Sequence, residues 1–148
     1  MIVFLDIDGV LHPDPCYDRD LLLSCLPKFE SVIREFPGVE IVISSTWREK
    51  RSLTELRDLF SPDIAQRIIG VTPSWKDHQG IFNRIGYQRH AEVEAWLRGS
   101  SEPWRRWVAI DDKPYLFRPF SNLVKTKSEV GFDDLSEIAL RDKLSEAD

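Results

Sequence analysis

Five short runs of β-forming residues, separated by stretches with helical periodicity, leave this chain few folds to choose from. Ile2-Val3-Phe4-Leu5 is the first run, Val39 to Ile43 the second and Ile68 to Val71 the third. Trp107 to Ile110 and the weaker Leu123-Val124 complete the series. Between them, Phe29, Val32, Ile33 and Phe36 follow helical spacing, with Pro27 suited to a first-turn position. Ser52 and Glu55 form an S-x-x-E capping box ahead of Leu56 and Leu59. Val93, Trp96 and Leu97 supply the next apolar face. Leu135, Ile138 and Ala139 supply the last, behind Asp133 or Asp134 as a cap. Strands alternating with helices predict an α/β fold. We expect a Rossmann-like parallel sheet of about five strands with helices on both faces.

A chain of 148 residues, 42% hydrophobic, fits one domain over residues 1–148, without repeats or a linker. A domain of that size buries roughly 70% of its unfolded surface, enough for a core without staples. The formal net charge of -5 argues against broad attraction to nucleic acid or anionic membrane, and leaves room for a local basic patch. Cys16 and Cys25 read as reduced thiols. His12, His78 and His90 make no zinc-like spacing with them and read as solvated or structural. The opening apolar run is too short for a membrane span, carries Asp6 and lacks a basic flank. The expectation is a cytoplasmic protein with no membrane partner.

In open parallel α/β sheets, ligands bind at the carboxyl ends of the strands, where strand order reverses. Three of the five runs here deliver polar groups to that edge. The first ends in Asp6-Ile7-Asp8-Gly9, the second in Ser44-Ser45-Thr46-Trp47-Arg48 and the fourth in Asp111-Asp112-Lys113. Singly, each reads as a turn, cap or solvated loop. Together, in register with the strand ends, they read as a site. Two carboxylates about 4 Å apart repel by about 4 kcal/mol at an effective dielectric near 20, so converging acids need a raised pKa or a cation between them. Carboxylates without histidine or thiolate suit a hard ion, Mg²⁺ in particular.

These residues resemble the haloacid dehalogenase-like (HAD) superfamily of phosphohydrolases. FLDIDGVL is similar to its first motif, IVISS to its second and VAIDD to its fourth. A narrower likeness, carried by ISSTWR, IIGVTPSW, RHAEVEAWL, WVAIDD and GFDDL, is to the HAD domains of "Swiss army knife" RNA-repair proteins. The resemblance implies that Asp6 attacks phosphorus to form an aspartyl-phosphate. It implies that Asp8 protonates the leaving oxygen and then helps deprotonate water, and that Ser44 donates to a phosphoryl oxygen. Mg²⁺ would be held by Asp6, the Asp8 backbone carbonyl and Asp111, with Asp112 beside it. The third motif calls for a basic residue. Lys76, Arg84 and Arg89 are candidates, and Arg89 is preferred because it opens the helix carrying Val93, Trp96 and Leu97. Ser45 and Arg48 stand beside Ser44 as candidate substrate contacts, with Trp47 as a core residue.

The superfamily accepts cap domains after the first or third strand. Neither Leu11 to Asp20 nor Thr72 to Gln88 is long enough for one, so an open site with no cap domain is expected. An open site suits a phosphate on something large, such as a nucleic-acid end, with Trp75 as a surface aromatic for stacking. The leading expectation is therefore a Mg²⁺-dependent phosphatase that removes a terminal phosphate from nucleic acid in RNA repair. A phosphatase of small metabolites, lidded by a partner subunit, and a phosphate-binding module without turnover are the alternatives. Phospho-receiver domains place the acid pair after the first strand and the accepting Asp after the third, the reverse of the order here.

Overall fold

The computed structural model describes residues 1–146, built on a five-stranded parallel sheet. The strands are β1 (Ile2–Leu5), β2 (Glu40–Ile43), β3 (Ile68–Val71), β4 (Trp107–Asp111) and β5 (Leu123–Lys125), in the order β3-β2-β1-β4-β5. Each expected run is a strand, with its ends within one residue of the expectation. The helices are α1 (Leu26–Arg34), α2 (Leu53–Arg57), α3 (Pro62–Ala65), α4 (Gln79–Ile85), α5 (Gln88–Gly99) and α6 (Asp134–Ser145). The architecture is a Rossmann-like α/β fold.

Local chemistry explains where the helices begin. Pro27 occupies the first turn of α1, where its missing N–H costs nothing. Ser52 Oγ accepts the Glu55 N–H, and the Glu55 carboxylate accepts the Ser52 N–H, both at 3.1 Å. Of the two acids considered for the last helix, Asp133 is the cap. Its Oδ1 accepts the Ser136 N–H at 2.9 Å. Helices α3 and α4 were not expected, because four and seven residues are too few to display a periodic apolar face. Gly86, at φ +81°, ends α4 in the left-handed conformation that glycine adopts without a Cβ clash.

The sheet is covered on both faces, and β1 shows how. All four of its residues are buried, with successive side chains on opposite sides. Val3 and Leu5 join Phe29, Val32 and Ile33 of α1 and Leu140 and Leu144 of α6 in the larger core. Ile2 and Phe4 join Val93 and Leu97 of α5 in the smaller one. There Phe4 packs edge-to-face against Trp96 at 5.8 Å and Trp107 at 5.9 Å. Burying a side chain of that size contributes about 1.5–3 kcal/mol, and aromatic pairs of this geometry about 0.5–1.5 more.

The chain builds outward from β1 through β2 to β3, then returns to place β4 and β5 on the other side of β1. The connections therefore diverge at the carboxyl ends of β1 and β4, which opens the crevice where ligands bind in such sheets. Between β1 and α1 lies only a 3-10 turn (Arg19–Leu21), and between β3 and α5 only a 3-10 turn (Trp75–Asp77) and α4. Among the described residues no inserted domain covers that edge. Among the described residues no helix is long and apolar enough to cross a membrane.

Candidate active site at the carboxyl edge of the sheet

Asp6 follows β1 directly, Asp111 ends β4 and Asp112 comes next. Leu5 is in register with Ile110, and the Asp6 N–H donates to the Ile110 carbonyl at 3.1 Å, so the ladder itself brings the acids together. One carboxylate oxygen from each of Asp6, Asp111 and Asp112 lies within 4.8 Å of the other two. All three residues are buried, at 7%, 1% and 7% exposure. Burial, and then the Asp111 carboxylate, hold the Asp6 pKa well above the ordinary range, with the Arg89 cation pulling the other way. Burial also pushes Asp111 up to about 7, against the Lys113 N–H and Arg89, with Asp112 adding to the rise.

Asp112 Oδ2 accepts the Ser128 hydroxyl at 2.7 Å, while its Oδ1 is buried without a partner among the described residues. Gly9, at φ +77°, lets the loop after β1 pass against this carboxylate, and a Cβ there would collide with it. Three converging, desolvated carboxylates, one with an orphaned oxygen, fit a hard divalent cation, and no histidine or thiolate competes in the cluster.

The Asp8 carboxylate is not part of that cluster. Its side chain is 42% exposed and accepts two hydrogen bonds, one per oxygen. His12 Nε2 donates to Oδ1 at 2.8 Å, and Trp47 Nε1 donates to Oδ2 at 3.0 Å. Of the two expectations for His12, solvated or structural, its buried position against the motif it follows by four residues supports the structural one. Trp47, expected as a core residue, also donates from its ring. Trp47 is not visible from sequence spacing, because it reaches Asp8 from the end of a different strand, whereas His12 stands four residues from its partner.

Ser44 follows β2, and its N–H donates to the Leu5 carbonyl at 2.7 Å. Its Oγ is buried and has no partner among the described residues. A buried hydroxyl left so costs about 1–3 kcal/mol, a cost that a ligand's acceptor oxygen removes. Ser45 is buried and has a local task. Its Oγ accepts the Trp47 N–H at 3.3 Å, capping the 3-10 turn Thr46–Glu49, and its carbonyl accepts from Arg48 at 2.8 Å.

Of the three basic candidates, Arg89 is the one whose charge acts on Asp6 and Asp111. Lys76 and Arg84 are exposed. Burial works against the Arg89 charge, but Asp6, Glu92 and Asp111 more than offset it and raise its pKa. Sequence analysis missed Glu92. Buried at 2% exposure, it accepts from Arg48 at 2.8 Å, Arg89 at 2.9 Å and the Trp75 N–H at 3.0 Å. The available signal was the i, i+3 spacing from Arg89. Arg48 is therefore held between Glu92 and Ser45, on the wall of the adjoining cleft.

A cleft of about 410 Å³ opens beside these groups, lined by Thr46, Arg48, Trp75, Lys76, Arg89 and Lys113. Trp75, expected as a surface aromatic, is half-buried in a 3-10 turn with its ring 4.5 Å from that of Phe82. It offers the cleft a ring that is packed on one side.

A family model described as "HAD domain in Swiss Army Knife RNA repair proteins" matches residues 2–136. No curated protein and no solved structure matches the chain.

Proposed function

The chain belongs to this family of HAD domains, and from that premise we propose that it is a Mg²⁺-dependent phosphohydrolase working through an aspartyl-phosphate. The convergence of Asp6, Asp111 and Asp112 at the switch point of the sheet is the observation that carries this reading. Asp6, Asp111, Asp112 and the Asp8 backbone carbonyl would hold the ion. When bound, it keeps Asp6 ionised and offsets the charge that would repel a carboxylate from a phosphate.

In the first step an Asp6 oxygen attacks phosphorus. The bond from phosphorus to the leaving oxygen breaks, its electron pair goes to that oxygen, and the oxygen takes the proton of Asp8. In the second step the Asp8 carboxylate takes a proton from water as the water oxygen attacks phosphorus. The bond to Asp6 then breaks and inorganic phosphate leaves. Ser44 donates to a phosphoryl oxygen, and Arg89 balances the charge of the phosphoryl group.

For substrate we propose a nucleic-acid end bearing a terminal phosphate, in RNA end processing. The open cleft, the exposed Lys76 and Lys113 on its wall and the half-buried Trp75 ring support that reading. Phosphate release from 3′- and 5′-phosphorylated RNA and DNA oligonucleotides, p-nitrophenyl phosphate and a sugar phosphate tests it. Asp6→Asn should lower release by on the order of 10³-fold or more, and EDTA should abolish it. Release that survives either change would overturn the mechanism. Preference for the small esters would move the substrate to a metabolite.

A further inference from the structure

We infer that His12 and Trp47 are positioning residues that hold the Asp8 carboxyl group for proton transfer, and that they set how well the protein expels poor leaving groups. The inference rests on the phosphohydrolase reading above and adds to it two side chains that none of the motif resemblances assigns a role.

The geometry is specific. The Leu23 N–H donates to His12 Nδ1 at 3.3 Å, so that nitrogen holds a lone pair and a neutral His12 carries its proton on Nε2. Nε2 then has one direction in which to donate, and Asp8 Oδ1 lies there at 2.8 Å. The ring is 2% exposed, so it has little freedom to turn away. Trp47 fixes the other oxygen through Nε1, a group that only donates. The two rings lie 5.8 Å apart, and the Arg51 guanidinium sits 4.1 Å over the Trp47 ring. Two chain segments thus converge on one half-exposed carboxyl group, the loop after β1 through His12 and the turn after β2 through Trp47, while the Leu23 backbone holds His12 from behind.

The arrangement has a chemical consequence. Each Asp8 oxygen has two lone-pair directions, so two N–H bonds leave room for the acidic proton. When that proton passes to the leaving oxygen, both N–H groups already point at the charge that forms. Help of this kind matters most for an alkoxide leaving group such as a ribose oxygen, and least for p-nitrophenolate, which departs with little need of a proton.

The test is single-turnover cleavage of an aryl phosphate series and an alkyl phosphate by wild type, Trp47→Phe, His12→Phe and His12→Gln. Trp47→Phe keeps an aromatic ring but removes the N–H together with the rest of the five-membered ring. A fall in rate on all substrates alike therefore reports the lost packing, and a leaving-group-dependent fall reports the lost N–H. Gln places an amide N–H near the position of Nε2, so it serves as the conservative rescue. Expected is a loss of about 10- to 100-fold on the alkyl phosphate in the two Phe variants, with a much smaller loss on p-nitrophenyl phosphate. His12→Gln should recover part of the alkyl rate. Equal losses on all substrates in Trp47→Phe, or no loss in any variant, would overturn the inference. Asp6→Asn runs alongside. Cleavage that survives it would overturn the phosphohydrolase reading itself, whereas Asp6-dependent cleavage with a flat leaving-group response would overturn only the role of His12 and Trp47.

Discussion

Glu92 shows how much a single buried residue organises. Two guanidinium groups and a backbone amide share its carboxylate, with side-chain exposures of 3% for Glu92, 8% for Arg48 and 13% for Arg89. Breaking a buried ion pair by removing one partner's charge costs about 3–5 kcal/mol, because the other charge stays desolvated. Glu92→Gln should therefore lower the melting temperature by about 6 °C or more in a chain of this length. It should also slow turnover by freeing Arg89. A thermal melt with an unchanged midpoint would show that the hub is not what holds these arginines. At this scale the convergence of Asp6, Asp111 and Asp112 was legible, because these acids stand at the ends of readable strands. The hub at Glu92 and the Trp47 bond to Asp8 were not, because Arg48, Trp75 and Trp47 arrive from other elements. The local pairs Arg89–Glu92 and Asp8–His12 had only their i, i+3 and i, i+4 spacing to show for themselves.

Among the elements, helix α6 gives the clearest link from sequence to energetics. Its cap is local, with Asp133 and Ser136 exchanging bonds across one turn, and the turn sets Leu140 and Leu144 onto the large core. Asp133→Ala should cost about 1 kcal/mol, read as a lower urea midpoint with an unchanged slope. An unaltered midpoint would mean that packing alone determines where the helix starts. The cap was readable as a choice between two neighbouring acids, and the Ser52–Glu55 box was readable outright. Helices α3 and α4 had no such signal. Helix α3 lies between α2 and β3, and α4 between β3 and α5, so each is a short link whose ends are fixed by the larger elements it joins.

The whole molecule carries a pH dependence that no single motif predicts. An acid whose pKa is raised by folding binds more protons folded than unfolded across the interval between its two pKa values, so stability falls as pH climbs through that interval. Asp111 rises from 3.8 to about 7 and Asp6 is raised well above its ordinary value, both mainly through burial. With EDTA present, the melting temperature should fall as pH rises from about 4 to about 7. Mg²⁺ at neutral pH should recover it, since a ligand that binds only the folded chain stabilises that state. Asp111→Asn, which removes a charge that folding buries, should raise the neutral-pH melting temperature of the metal-free protein by about 3 °C or more. A metal-free melting curve that is flat over that range would mean these acids stay ionised without a cation.

By itself the sequence determined the strands, the alternation and the acids at strand ends, because each depends on residues close together in the chain: apolar runs, helical spacing, a cap beside its helix. Even the absence of a cap domain is a matter of counting residues between elements. Tertiary structure alone decided which groups meet. That the Asp8 carboxylate turns from the acid cluster toward His12 and Trp47, and that Arg48 is tied to Glu92, depends on strand order and helix docking. Those place residues tens of positions apart within hydrogen-bond distance. A hydrogen bond across 39 or 44 residues has no local signature. It exists only because the sheet has closed beneath it.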